Sequence, residues 1–175
     1  MTDGRDGDGV KCVLLTGMSG TGKSTVIEEL TVRGYNAVDA DEDGWSEVVN
    51  VPESELTGLG SGQDWVWRED RIQDLLSTDD ADVLFVSGCS PNQGKFYPQF
   101  DHVVLLSAPA EVIVERLASR TNNPFGKRPE EVARVLQLQH EIEPLLRAGA
   151  GHEIDTSVPL DQVVTKVLQL VDESG

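Results

Sequence analysis

Short apolar segments alternate with longer amphipathic segments along this chain. VKCVLLTG at 10–17 and ADVLFVSGC at 81–89 are short and apolar and carry a glycine at or near their end, which is typical of strands buried in a parallel sheet. The apolar segments, with the glycine, proline and asparagine residues that separate them, predict strands at 10–17, 35–41, 81–89, 101–109 and 151–157.

Amphipathic segments lie between these predicted strands. KSTVIEELTVRG at 23–34 has Val26, Ile27 and Leu30 at helical spacing, and Gly34 is of the type that commonly ends a helix. The pattern predicts helices at 23–34, 64–77, 110–120, 129–149 and 159–173. Strands that alternate with helices predict an α/β fold, in which a parallel sheet is covered by helices on both faces.

Two stretches have no regular pattern. Residues 1–9 alternate Gly and Asp, so we expect a disordered tail there and a single domain over 10–175. Residues 42–63 are polar and glycine-rich, and they predict no element.

The charge balance narrows the set of partners. The 175 residues include 14 basic and 31 acidic side chains, for a net charge of -17. This charge repels polyanions, so we expect no nucleic acid or membrane partner, and an anionic ligand needs a local basic site. The chain lacks both an apolar run of about 18 residues and the layout of a signal peptide, which favours a cytoplasmic location.

The segment between the first predicted strand and helix carries the clearest motif. GMSGTGKS at 17–24 fits the phosphate-loop pattern G-x-x-x-x-G-K-[ST]. Backbone N–H groups of such a loop surround phosphates, Lys23 reaches the β and γ phosphates, and the Ser24 hydroxyl binds Mg²⁺. The predicted ATP-binding residues of this segment are Gly17, Ser19, Gly20, Thr21, Gly22, Lys23, Ser24 and Thr25.

Other motifs separate the large classes of phosphate-loop proteins. GTPases carry N-K-x-D, which is absent here. Motor and AAA-type ATPases need a longer chain and a strand that ends in Asp-Glu, whereas the strands at 81–89 and 101–109 end in SGC and SAP. By elimination, these features favour a small kinase that transfers the γ-phosphoryl group of ATP and closes a basic lid.

From Val10 to Glu173 the chain resembles the small P-loop metabolite kinases that include shikimate kinase, gluconate kinase and the nucleoside monophosphate kinases. Besides the phosphate loop, the matching segments are Asp39-Ala40-Asp41, Trp67-Arg68 in a predicted helix, Gly88, Arg120, Pro144-Leu145-Leu146 and Asp155-Thr156-Ser157. The resemblance implies a three-layer fold with a five-stranded parallel sheet, an acceptor-binding region at about 41–71 and a small lid at about 120–129.

The resemblance implies roles for the two acids after the second predicted strand. Asp39 would hold Mg²⁺ through water, beside Ser24, and Asp41 would orient or deprotonate the acceptor hydroxyl. The alternative is a solvated acidic loop, since Glu42 and Asp43 follow directly.

A basic cluster lies near the predicted lid. Arg116, Arg120, Lys127 and Arg128 surround a loop that contains Gly and Pro. We expect Arg120 to stabilise charge on the transferring phosphoryl group and Arg116 to contact the nucleotide. The alternatives are ion pairs with neighbouring acids for Arg116 and an exposed loop for Lys127 and Arg128.

The acceptor side of the site departs from the family. Shikimate kinases have Gly-Gly-Gly after the third strand and an Arg two residues before Pro-Leu-Tyr, whereas this chain has Ser87-Gly88-Cys89 and Ile142. The resemblance still implies Asp41, Arg68 and Gly88 as acceptor-binding residues, although Arg68 could equally form a surface ion pair. It does not identify the acceptor.

Two smaller groups of residues complete the predicted site. Asp155 and Thr156 are implied to line the adenine. Trp45, Trp65 and Trp67 could stack on an acceptor ring or lie in the core, and Lys95 could contact ligand or solvent.

The function predicted from these features is ATP- and Mg²⁺-dependent transfer of a phosphoryl group to a hydroxyl of a small molecule. A nucleoside or nucleotide kinase is one alternative. A nucleotide-binding regulatory or resistance module without phosphotransfer is another. The oligomeric state is left open, although small kinases of this kind are often monomers.

Overall fold

The computed structural model describes residues 11–18, 20–41, 44–52, 62–77, 82–90, 92–119 and 127–173. The tail predicted at 1–9 lies outside these ranges.

A five-stranded parallel sheet forms the centre of the fold. Its strands are β1 (Lys11–Thr16), β2 (Asn36–Asp39), β5 (Val83–Ser87), β6 (His102–Ser107) and β7 (His152–Asp155). They lie in the order β2-β5-β1-β6-β7. The predicted α/β fold with a five-stranded parallel sheet is therefore confirmed.

Helices cover the sheet on both sides. They are α1 (Lys23–Val32), α2 (Glu69–Leu76), α3 (Ala110–Ser119), α4 (Pro129–Gly149) and α5 (Leu160–Glu173), with a short 3₁₀ helix at Gln93–Gln99. Among the residues described, no helix is both long and apolar enough to cross a membrane.

Alternation along β1 explains why both faces of the sheet are buried. Val13 and Leu15 pack in the cluster formed with α1 and α5, whereas Cys12 and Leu14 pack in the cluster on the opposite face. Successive side chains of a strand point to opposite faces, so a strand that is apolar at every position needs cover on both sides.

A second sheet corrects the prediction for 42–77. β3 (Ser46–Asn50) pairs antiparallel with β4 (Gln63–Trp67), and α2 begins only at Glu69. The predicted helix at 64–77 is therefore wrong in its first part, and Trp67-Arg68 does not lie in a helix. The segment at 63–67 is rich in residues that favour strands, and pairing with β3 decides its conformation.

The strand order brings three loops together at one edge of the central sheet. β1 lies between β5 and β6 in the sheet. The loop after β1 therefore lies where the connections that follow neighbouring strands run to opposite sides of the sheet. Ligands bind at such points in α/β sheets. Ser87 of β5 is in register with Asp39 of β2 on one side and with Leu15 of β1 on the other. The phosphate loop and the segments after Asp39 and Ser87 therefore share this edge.

His102, in β6, gives stability a pH dependence that can be measured. Its Nε2 atom is buried and, within the described part of the chain, has no hydrogen-bond partner. Burial and the neighbouring His152, with ring centroids 5.3 Å apart, lower the pKa of His102 below its usual 6.5, although Asp101 acts in the opposite direction. The unfolded chain thus binds a proton more readily than the folded chain.

We expect the free energy of unfolding to decrease as the pH falls from about 6.5 through the lower folded-state pKa of His102. Between about pH 7.5 and about pH 5.5, the free energy of unfolding of His102→Gln, measured by urea unfolding, should decrease less than that of wild type. His140→Gln, at an exposed position of α4, is the control and should follow wild type. Identical pH slopes for His102→Gln and wild type would contradict this assignment.

Candidate active site

The loop between β1 and α1 has the backbone geometry that a phosphate loop requires. Gly22 caps α1 with φ 94°, a left-handed conformation that favours glycine. The Thr21 hydroxyl is buried and donates to the carbonyl oxygen of Met18 at 2.7 Å, which closes the loop on itself. The predicted residue Ser19 lies outside the described residues.

Lys23 and the first turn of α1 give this loop its positive character. Lys23 Nζ donates to the carbonyl oxygens of Gly17 at 2.6 Å and Met18 at 3.1 Å. Ser24 and Thr25 follow in the first turn of α1, which contains no acid, and their side chains are exposed. The N–H groups of a first helical turn have no partner within the helix, so they favour a bound anion.

The end of β2 places a carboxylate beside the loop. The Ser24 hydroxyl donates to Asp39 Oδ2 at 3.1 Å, and Asp39 Oδ1 accepts from the N–H of Asp41 at 3.1 Å. A hydroxyl and a carboxylate are oxygen ligands of the kind that Mg²⁺ prefers. Within the described residues no three His, Cys, Asp or Glu side chains are grouped to hold a metal. The donor set therefore fits Mg²⁺ that retains water and phosphate ligands.

Asp41 lies at the same edge of the sheet and accepts hydrogen bonds from N–H donors of other segments. Its Oδ1 accepts from Trp67 Nε1 at 3.3 Å and from the Cys89 N–H at 3.2 Å, and Oδ2 accepts from the same N–H at 3.0 Å. Burial raises the pKa of Asp41 to about 6, although Lys23 and these N–H donors act in the opposite direction. A solvated acidic loop is therefore not the environment of Asp41.

Gly88 is required by the close packing around Asp41. A Cβ at this position would lie 2.9 Å from Asp41 Oδ1 and 2.9 Å from Trp67 Nε1. Both contacts are shorter than real Cβ contacts, so a side chain here would displace the carboxylate or the indole. Gly88 thus lies against the carboxylate that is predicted to orient or deprotonate the acceptor hydroxyl.

Arg116 links the phosphate loop to the segment after β7. Its Nη1 donates to the carbonyl oxygen of Gly20 at 3.2 Å and to Thr156 Oγ1 at 2.9 Å, and its Nη2 donates to the carbonyl oxygen of Thr156. Thr156 Oγ1 in turn donates to the carbonyl oxygen of Thr21 at 2.7 Å. The alternative that Arg116 pairs only with neighbouring acids is therefore wrong.

We expect Arg116→Lys to lower the free energy of unfolding by about 2 kcal/mol, because an ammonium cannot replace the three bonds of the guanidinium fork. Nucleotide affinity should fall as well, because the loop loses a fixed neighbour. Urea unfolding and calorimetric titration with ATP measure the two effects. Arg33→Lys, at an exposed i,i+4 pair with Glu29, should change neither. Wild-type stability of Arg116→Lys would contradict the link.

The predicted lid is only partly within the described residues. Arg120 and the rest of 120–126 lie outside them, so the role of Arg120 stays a prediction. Lys127 Nζ donates to the carbonyl oxygen of Ala118 at 3.0 Å, and the N–H of Arg128 donates to Glu131 Oε1 at 3.3 Å. Both bonds fasten the end of the loop to α3 and α4.

Other predicted ligand residues are held by the protein itself. Arg68 Nε donates to the carbonyl oxygen of Ser46 at 3.3 Å, which ties it to β3. Lys95 pairs with Glu69 at 3.0 Å on the surface. Asp155 Oδ1 accepts from the N–H of Ser157 at 2.8 Å and from its hydroxyl at 2.6 Å, so this exposed carboxylate closes a turn.

The tryptophans divide between the core and its edge. Trp67 is 1% exposed and lies in the core cluster on the α2 side of the sheet, against which the partly buried Trp45 packs. The side chain of Trp65 lies outside what the structure describes. Stacking of Trp67 on an acceptor is therefore excluded by its burial.

Comparison with known proteins identifies the family. A family model described as "AAA domain" matches residues 13–137 of the 175. The chain belongs to this family. The expectation that excluded AAA-type proteins is therefore wrong. Even so, β5 and β6 of this AAA domain end at Ser87 and Ser107, and the acids beside the loop are Asp39, the last residue of β2, and Asp41 just after it.

Solved structures share the fold of this AAA domain. Shikimate kinase from Acinetobacter baumannii in complex with shikimate is 19% identical, with a TM-score of 0.64 over 97% of both chains. Shikimate kinase from Bacteroides thetaiotaomicron is 15% identical, with a TM-score of 0.62 over 93% of this chain and 98% of the other. The predicted resemblance to the shikimate kinase fold is confirmed.

Curated relatives are longer proteins. A nucleotide-binding protein of Thermosipho africanus is 27% identical over 146 residues, which cover 83% of this chain and 48% of that protein. A nucleotide-binding protein of Bifidobacterium longum subsp. infantis is 29% identical over 180 aligned positions, which cover 96% and 50%. The chain thus spans about half the length of the curated relatives it matches.

Sequence reasoning missed the groups that hold the catalytic candidates. The Cys89 N–H is a backbone group, so the identity of the residue does not show that it donates to Asp41. The indole of Trp67 and the hydroxyl of Thr156 were visible, but their partners lie 26 and 135 positions away in sequence. Only the strand order brings these groups together.

Proposed function

We propose that this AAA domain is an ATP- and Mg²⁺-dependent phosphotransferase that moves the γ-phosphoryl group of ATP to a hydroxyl of a small molecule. The observation that carries the proposal is Asp41, a partly buried carboxylate held by two N–H donors at the edge that bears the phosphate loop. Nucleotide binding alone does not need a carboxylate there, because a carboxylate repels phosphates.

The nucleotide half of the site follows from the loop. Lys23, the first turn of α1 and the loop N–H groups would bind the β and γ phosphates, with positive charge where negative charge accumulates in transfer. Ser24 and Asp39 would hold Mg²⁺, which neutralises phosphate charge when bound. Thr156, fixed by Arg116, would lie beside the base, with Asp155 in the adjoining turn.

The acceptor half is centred on Asp41. The acceptor hydroxyl oxygen forms a bond to the γ-phosphorus, the bond from that phosphorus to the β–γ bridging oxygen breaks, and ADP leaves. The hydroxyl proton passes to Asp41, which releases it to solvent. Because its pKa is raised to about 6, Asp41 is a better proton acceptor than an ordinary aspartate and is still ionised at neutral pH.

Residues around Asp41 would shape the acceptor pocket. Gly88 packs directly against the carboxylate, and Arg68 and the β3–β4 hairpin lie within the proposed acceptor region at about 41–71. Arg120, in the proposed lid, would add charge stabilisation and exclude water when the lid closes.

A nucleotide-binding module without phosphotransfer is the second candidate. The names of both curated relatives, nucleotide-binding proteins, favour it. Such a module would bind ATP through the same loop, but no acceptor would increase its turnover.

The test is ADP release from Mg-ATP with a panel of acceptors, namely sugar acids, shikimate, nucleosides, nucleoside monophosphates and aminoglycosides. Lys23→Ala provides the blank. We expect one class to stimulate ADP release, and a nucleoside or nucleoside monophosphate would indicate a nucleoside or nucleotide kinase. ATP binding without stimulation by any acceptor favours the second candidate.

A further inference from the structure

Trp67 connects the hairpin to Asp41. Its indole Nε1 donates to Asp41 Oδ1 at 3.3 Å, although β4 and β2 belong to different sheets. The ring is 1% exposed and contacts Phe96, with ring centroids 6.1 Å apart. An indole that is both buried and packed in this way presents its N–H in one direction only.

The backbone of Trp67 is fixed as firmly as its ring. Its N–H donates to Ser90 Oγ and to Asn92 Oδ1, each at 3.1 Å, and its carbonyl oxygen accepts from Asn92 Nδ2 at 2.9 Å. Asn92 thus pairs with both polar groups of the Trp67 backbone. The segment after β5 therefore does two things. It supplies the Cys89 N–H to Asp41, and it holds Trp67, which donates the second N–H.

Gly88 completes the contact. The absent side chain at this position is what allows Asp41 Oδ1 and Trp67 Nε1 to approach, because a Cβ would lie 2.9 Å from each. Two segments that are distant in sequence, at Trp67 and at 88–92, thus converge on the carboxylate of Asp41.

We propose that Trp67 is a positioning residue, whose indole N–H fixes the carboxylate plane of Asp41 toward the acceptor hydroxyl. The inference rests on the proposed function. The Cys89 N–H donates to both carboxylate oxygens and so does not distinguish between them, whereas the indole N–H donates to Oδ1. Correct orientation of a reacting group contributes strongly to rate, so loss of the indole N–H acts on turnover rather than on nucleotide binding.

The first test replaces the donor and keeps an aromatic ring. Trp67→Phe should lower kcat about 10- to 100-fold, the effect of one hydrogen bond to a charged group, and leave the Kd for ATP within about twofold of wild type. Phe100→Leu is the matched control, because it removes aromatic packing from the same core cluster and leaves the ring contact between Phe96 and Trp67 in place. It should lower the melting temperature but leave kcat within about twofold. Equal kcat losses in both variants, or no loss in Trp67→Phe, would overturn the positioning role.

The second test needs no turnover. The indole N–H resonance of Trp67, assigned by its loss in Trp67→Phe, should shift in the ¹⁵N-correlated NMR spectrum of Asp41→Asn, because the acceptor loses its charge. Glu47→Gln removes an exposed carboxylate from the same hairpin and should leave the resonance in place. An unchanged resonance in Asp41→Asn would overturn the hydrogen bond itself. A shifted resonance in a protein that no acceptor stimulates would instead overturn the proposed function and, with it, the positioning role.

Discussion

Asp41→Asn should lower acceptor-stimulated turnover about 100- to 10,000-fold, the range that a general base contributes. The amide has nearly the same shape and its oxygen still accepts the Trp67 and Cys89 N–H groups, but it cannot take the hydroxyl proton. The Kd for ATP should stay within about twofold of wild type, because the nucleotide half of the site is intact. Steady-state ADP release and calorimetric titration measure the two quantities.

The matched control for Asp41→Asn is Asp74→Asn, at an exposed position of α2. It makes the same chemical change far from the phosphate loop and should retain wild-type turnover. Full turnover in Asp41→Asn would show that another group takes the proton or that none is needed.

Lys23→Ala should abolish measurable phosphotransfer through both binding and chemistry. Loss of a charged hydrogen-bond donor to phosphate weakens ATP binding about 10- to 100-fold, and loss of charge stabilisation in the transition state lowers kcat by a further 100- to 1,000-fold, roughly. Titration with ATP and ADP release at saturating ATP separate these two effects.

The fold should tolerate Lys23→Ala, because the lost bonds from Nζ to Gly17 and Met18 are only part-buried and the buried bond from Thr21 to Met18 remains. An unchanged melting temperature would therefore assign the loss to function. Lys166→Ala, at an exposed position of α5, is the control and should bind ATP as wild type does. Wild-type ATP affinity in Lys23→Ala would contradict the assignment of the loop.

Local signals predicted the part of the site that is built locally. A strand, a glycine-rich loop with Lys23 and Ser24, and a helix follow one another directly, so spacing alone defines the phosphate-binding segment. The position of Asp39 beside Ser24 also follows from sequence, because parallel strands end at one edge of the sheet.

Other features depend on contacts between distant segments. The strand at 63–67 forms because Ser46–Asn50 pairs with it, whereas the sequence alone predicts a helix from 64 and no element around 46–50. The raised pKa of Asp41 depends on burial beneath segments that come from other parts of the chain. Arg116 had acidic neighbours in sequence, yet it bonds to Gly20 and Thr156 because α3 packs beside the loop.

The most direct measurement follows the γ-phosphoryl group itself. Wild type and Asp41→Asn are mixed with ATP labelled at the γ-phosphorus and the stimulating acceptor, and the products are separated. We expect wild type to place the label on the acceptor as a phosphate ester and Asp41→Asn to leave it on ATP. Label that appears only as inorganic phosphate, at equal rates in both proteins, would contradict phosphotransfer as the function of this site.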